Sequence, residues 1–180
     1  MTEAEFISIE PARPPLDMDP SPALRLCGKY PPTLAGRKVG VLLGDGFDPG
    51  LFAALAKAVA DAGAVCVAIA LKVAGAKDAI GKLHPADTSL AGTPSCLLDA
   101  VVLLCGAEGE AALSNDADAR QFAADARRHL KAIGHSGISA LAESLRLKNE
   151  EGVYPLDGGR AAIGRFVASA AAGKVWSRLV

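Results

Sequence analysis

The chain has 180 residues, 51% apolar and 22% charged, which is one domain of ordinary size plus a tail, with enough apolar chain to bury a core without disulfide or metal staples. Its 19 Lys and Arg against 20 Asp and Glu leave a net charge of -1. That balance excludes the basic footprint of a general nucleic-acid binder, and the apolar content excludes disorder of the whole chain.

Residues 1–10 are acidic and lack the basic end and apolar stretch of a signal peptide, and no apolar run approaches the ~20 residues of a membrane helix. The expectation is a cytoplasmic protein without membrane or nucleic-acid partners. Seven of the eleven prolines fall within residues 1–32. Prolines remove backbone donors and disfavour helix in the residue before them, so residues 1–36 read as an extended arm or linker. A composition break at Ala35-Gly36-Arg37 starts the domain, residues 37–180.

From there the pattern alternates. Residues 38–43 (KVGVLL) form a buried strand. Residues 51–62 carry apolar side chains at 51, 54, 55, 58, 59 and 62, which is helical spacing. Asp48 is a natural N-cap, Pro49 a natural first helical residue and Gly63 a C-terminal stop. Residues 64–73 and 99–105 are the next strands. Residues 114–130 follow as a helix with Phe122, Ala126 and Leu130 on one face. Residues 131–134 open a fourth strand, followed by a short helix 138–147, a small strand 153–154, and a last helix 159–172 that turns Ile163, Phe166, Val167 and Ala170 inward. Trp176 is read as a core anchor for that helix. Apolar strands alternating with amphipathic helices predict an α/β fold, a parallel sheet covered on both faces. Such sheets keep their sites at the strands' carboxyl ends, so the loops of interest are 44–50, 106–114 and 134–139.

Loop 44–50 (GDGFDPG) spaces its glycines one residue too widely for a dinucleotide fingerprint, and Asp45 and Asp48 stand where a pyrophosphate would sit. Asp48 at a strand end could still orient a neighbouring catalytic group. Residues 75–82 (GAKDAIGK) fail as a phosphate loop, with one residue too many between the glycines and Leu83 where Ser or Thr must bind magnesium. Gly134-His135-Ser136-Gly137 resembles a serine-hydrolase elbow, but Ile138 occupies the final glycine position of G-x-S-x-G. A weak hydrolase using Ser136 with His135 or Asp48 remains an alternative. The four cysteines, at 27, 66, 96 and 105, show no C-x-x-C pair and read as free thiols, and no metal-ligand spacing appears among the three histidines.

An ordered set of segments carries a more specific likeness. SPALRL (21–26), GRKVGVLLGDGFD (36–48), AGTPSCLLDAVVLLCG (91–106), RRHLKAIGHSG (127–137) and KVWSR (174–178) resemble the C-terminal extension of large-subunit haem catalases, over about residues 15–180. That extension is similar to the PfpI/ThiJ branch of the class I glutamine amidotransferase-like superfamily, which implies a flavodoxin-like sheet. Enzymes of that superfamily use an elbow cysteine, commonly in I-C-H-G. Here Ile133 is followed by Gly134 and His135, so the resemblance puts glycine at the nucleophile, with Asp48 at the acidic helper position. Without a thiolate, acyl chemistry has no covalent route. The resemblance therefore implies a non-catalytic accessory domain, with Asp48, Gly134, His135 and Ser136 as a vestigial pocket. It further implies a structural, stabilising or chaperone-like role beside a catalase core and further copies of the chain. The peroxide chemistry and the haem would reside in the parent enzyme; no cofactor or metal is expected in this chain. A stand-alone PfpI-like protein that holds unfolded chains is the other alternative.

Overall fold

The computed structural model describes residues 12–14, 16–25, 28–29, 31–144, 146–147 and 150–179. The chain divides into two compact units, Met1–Pro31 and Pro32–Val180. In the first, a short 3-10 turn at Pro22–Leu24 buries nothing, and Leu16, Met18 and Leu24 are exposed. Cys27 and Tyr30 lie outside the described residues. The second unit takes in residues ahead of the Gly36 composition break, because Leu34 is buried in its core.

Within the second unit, β1 (Lys38–Leu43) leads into α1 (Pro49–Asp61), β2 (Val65–Ala70), and a small hairpin of β3 (Ala76–Lys77) and β4 (Leu83–His84). Then come β5 (Thr88–Ser89), β6 (Ala100–Leu104), α2 (Ala107–Asn115), α3 (Ala117–Arg128), β7 (Ile133–Ser136), α4 (Ser139–Ser144), β8 (Val153–Pro155) and α5 (Arg160–Ala172). Six strands form a parallel sheet in the order β5-β2-β1-β6-β7-β8. The order reverses at β1, so the crevice between β1 and β6 is where the fold opens toward a ligand.

Alternate residues of each strand serve opposite faces. Val39, Val41, Leu43, Ala100, Val102 and Leu104 join one core with Leu55 and Val59 of α1 and Ile163 and Phe166 of α5. Leu42, Val101, Leu103, Cys105 and Ile133 join the other with Leu113, Phe122, Ala126 and Leu141 of α2, α3 and α4. The expected α/β flavodoxin-like architecture is the one observed.

Four local expectations are corrected. Residues 107–113, read as loop, belong to α2, which runs to Asn115, and α3 begins only at Ala117 because the Asp116 carboxylate caps it, accepting from the Ala119 N–H at 2.9 Å. The strand predicted over 64–73 stops at Ala70, where the chain departs into the β3–β4 hairpin. The strand placed at 131–134 begins two residues later. Leu130 adopts a left-handed φ of 58°, and Lys131, 3% exposed, turns its ammonium onto the carbonyls of Ser95 and Leu98. Burial, with Lys174 nearby, lowers the Lys131 pKa, and those two carbonyls take over the role of water. Finally, Trp176 is 38% exposed rather than a core anchor. The C-terminal segment is held instead by buried Val175, and by Arg178, which donates to the carbonyls of Lys131 at 2.9 Å and Glu151 at 2.7 Å.

Candidate functional site

The shifted start of β7 carries the strand through His135 and Ser136, in register with Leu103 and Leu104 of β6. The strand-to-helix turn therefore falls at Gly137, followed by Ile138 and α4. Gly137 has φ +71°, and a Cβ built there would lie 1.8 Å from the Cys105 carbonyl oxygen. An elbow with that backbone conformation is where a strained nucleophile sits in an acyl-transfer enzyme. In this chain the place admits no side chain. Gly134 lies earlier, inside the strand and 3.1–3.4 Å (measured to a built Cβ) from Leu156, Val102 and Phe166 in the first core.

The other candidates are not brought together. Asp48 caps α1, its Oδ1 accepting from the N–H groups of Gly50 at 2.7 Å and Leu51 at 3.2 Å. Ser136 Oγ donates to Asp157 Oδ1 at 2.5 Å, with no imidazole between hydroxyl and carboxylate. His135 and Ser136 are adjacent in a strand, so they face opposite sides of the sheet, and His135 makes no side-chain hydrogen bond to a described residue. A serine–histidine relay cannot form from that pair.

Two residues outside the predicted pocket complete the elbow. Glu110 of α2 reaches across to α4, where its Oε1 accepts from the Ala140 N–H at 2.6 Å and the Leu141 N–H at 3.2 Å. Those two free N–H groups at the start of α4 are thus satisfied by a carboxylate rather than left open to a ligand. Cys105 lies directly beneath the turn, its Sγ donating to the Gly137 carbonyl at 3.1 Å. Burial, then the Glu110 charge, pushes that thiol up to about 12, and burial, then Asp87, pushes Cys66 up to about 11. Neither is a thiolate at neutral pH. Only the apolar run around Cys105 hinted at its burial; nothing local in the sequence announces Glu110.

Burial also pushes the His135 imidazole below its ordinary 6.5, against the opposing charge of Asp157. Between the folded and unfolded values the unfolded chain binds more protons, so stability rises with pH. The contribution is complete above 6.5 and is lost as pH falls through the folded value. Urea midpoints of the wild type should therefore drop from pH 7.5 to 5.5 more steeply than those of His135→Asn. Equal slopes would mean that His135 is solvated like a free imidazole.

A haem pocket does not fit these residues. Tyr154 packs edge-on against Phe166 with ring centroids 6.4 Å apart, and the shallow crevice of about 310 Å³ beside it is lined by neither histidine nor arginine. Among the described residues no group of three or more His, Cys, Asp or Glu side chains could hold a metal ion.

Residues 35–180 match the family described as the C-terminal domain found in long catalases. The chain belongs to this family. It is 46% identical over 123 residues to Catalase C of Rhizobium meliloti (strain 1021), covering 68% of this chain and 17% of that protein. Against Catalase HPII of Pseudomonas putida it is 30% identical over 145 residues, covering 81% of this chain and 20% of the relative. The chain thus spans about a fifth of the length of the curated relatives it matches. A cysteine-to-alanine mutant of a DJ-1 superfamily protein from Salmonella typhimurium shares the fold, with a TM-score of 0.55 at 24% identity over 61% of this chain and 62% of that one. The catalase C-terminal domain is therefore built on a PfpI/DJ-1-like sheet, and no helix among its described residues is long and apolar enough to cross a membrane.

Proposed function

We propose that this catalase C-terminal domain is a non-catalytic, structural part of a cytoplasmic peroxide-removing assembly, and that it stabilises that assembly. The observation that carries the reading is the closed elbow, where the Cys105 carbonyl excludes any side chain at Gly137 and Glu110 occupies the helix donors behind it. A domain of this family whose superfamily chemistry is blocked contributes through its surface rather than through a reaction. Haem, in this reading, belongs to the remainder of a longer catalase, the Pro-rich segment 1–36 is the connection to it, and copies of the chain come together within the oligomer. In a full-length parent lacking residues 32–180, inactivation at elevated temperature should be faster while peroxide turnover at 25 °C is retained. Equal inactivation rates would remove the stabilising role.

The hydrolase alternative draws on one contact, the bond from Ser136 to Asp157. With no imidazole between hydroxyl and carboxylate it builds no serine–histidine relay, so Ser136→Ala should leave any ester turnover unchanged; a loss of about tenfold or more would revive it. The holdase alternative draws on the exposed Leu16, Met18 and Leu24 of the arm, scattered apolar side chains rather than a broad patch.

A further inference from the structure

The β3–β4 hairpin and the loop that leads into it expose apolar side chains. Val73 (66% exposed), Ile80 (82%) and Leu83 (52%) lie within a dozen residues of one another, on a loop and hairpin that leave the carboxyl end of the sheet. Interleaved with them are Lys72, Lys77 and Lys82, all exposed, none in an ion pair with a described residue. Asp45 and Glu108 line the crevice that Lys77 borders, and Asp45 spends Oδ1 on the Lys77 backbone N–H at 2.8 Å. The hairpin's own carboxylate, Asp78, is buried and turned inward. It accepts from the N–H groups of Ile80 at 3.0 Å and Lys82 at 2.9 Å, and its Oδ2 lies 2.8 Å from His84 Nε2. The base is pinned further by Gly46 N–H to the Lys77 carbonyl at 2.8 Å, by Ala79 N–H to the Phe47 carbonyl at 2.9 Å, and by the His84 ring against buried Phe47. A segment so held does not collapse to hide its apolar side chains. It presents them rigidly, at small entropic cost to whatever binds.

We propose that this cationic, apolar hairpin docks on an acidic, apolar-floored surface of the remainder of the longer catalase polypeptide. The inference rests on the accessory-domain reading above. Charge selects an anionic partner, since three lysines are unpaired while the single carboxylate of the hairpin is turned away. The interleaved Val73, Ile80 and Leu83 select a protein surface over a polyphosphate backbone, which has no apolar floor to receive them. The relatives supply the occupant: about four fifths of their length lies outside the matched domain.

The test is lysine acylation with mass spectrometry on the protein purified in its native state from its source cell, each site normalised to its rate after unfolding. Lys57 on α1, 75% exposed, is the internal control. Lys72, Lys77 and Lys82 should label about tenfold more slowly than Lys57. In the full-length parent, Ile80→Asp with Leu83→Asp, two exposed positions whose change leaves the core intact, should restore fast labelling. If the chain is found in a larger assembly and the hairpin lysines label as fast as Lys57, the docking inference is wrong and the accessory-domain reading stands. If the chain runs alone at its own mass, that reading fails and the inference falls with it. Slow labelling that appears only on addition of phosphatidylserine vesicles would replace the protein surface by an anionic membrane and overturn the proposal.

Discussion

Replacing Gly137 with cysteine, the change that would reinstate an elbow nucleophile, is expected to lower stability by about 3 kcal/mol or more and to create no thiol-dependent activity. The Cβ would stand 1.8 Å from the Cys105 carbonyl oxygen, a backbone atom directly after the central strand β6 that cannot swing aside. The positive φ of 71° adds strain for any L side chain. A thiol forced into place would face the Glu110 carboxylate across the α4 N-terminus, which raises rather than lowers a cysteine pKa. Gly134→Cys is the control. Its Cβ meets the far ends of Leu156, Val102 and Phe166 at 3.1–3.4 Å, atoms that can shift by a few tenths of an ångström, so the loss should be smaller and the thiol buried. Urea unfolding of the two variants, with iodoacetamide labelling at pH 7, decides the matter. An unchanged midpoint and rapid labelling for Gly137→Cys would contradict the closed elbow.

Phe166→Ala should destabilise the domain by about 3–5 kcal/mol, the usual range for emptying a buried aromatic site. The ring is fully buried on α5, lies over Gly134 of β7 and meets Tyr154 of β8 at 71°. It therefore ties the last helix to the two strands at the far edge of the sheet. Gly134 has no side chain with which to fill the space, and Leu156 and Val102 beside it are already packed in the same core, so the site collapses poorly. Thermal unfolding followed by circular dichroism measures the loss. In the proposed accessory role, the same substitution in a full-length parent should speed heat inactivation without altering peroxide turnover at 25 °C. A stability loss under about 1 kcal/mol would mean that α5 packs elsewhere.

Much of this architecture is legible in the sequence, and the illegible parts share a cause. The Asp48–Pro49 start of α1, the strands at 38–43 and near 99–105, and the last helix all follow from local chemistry and appear where periodicity and capping put them. What escaped depends on contacts far along the chain. Lys131 looks like a strand residue until the carbonyls of Ser95 and Leu98 are brought beneath it, and its turn inward moves β7 by two residues. The left-handed turn into α4 falls at Gly137, three residues beyond the Gly134 that the I-C-H-G resemblance picks out. Helix α2 has little amphipathic signal, because Gly109 is its tightest contact and packs on Asp45 rather than burying a side chain. The hairpin is fixed by one buried carboxylate, Asp78, which in the sequence is simply a charged residue between alanine and lysine. Burial would raise that carboxyl, but the hydrogen bonds from His84, Lys82 and Ile80 outweigh it and hold its pKa below the ordinary 3.8.

The central claim, that this chain works as an accessory domain of a long catalase, is tested most directly by its native mass in the source cell. An antibody raised against residues 32–180 would be used on extracts separated by size without denaturation. The account predicts a species several-fold larger than the 18.3 kDa of this chain, co-migrating with peroxide-decomposing activity. A single species at the mass of the chain itself, apart from that activity, would contradict it.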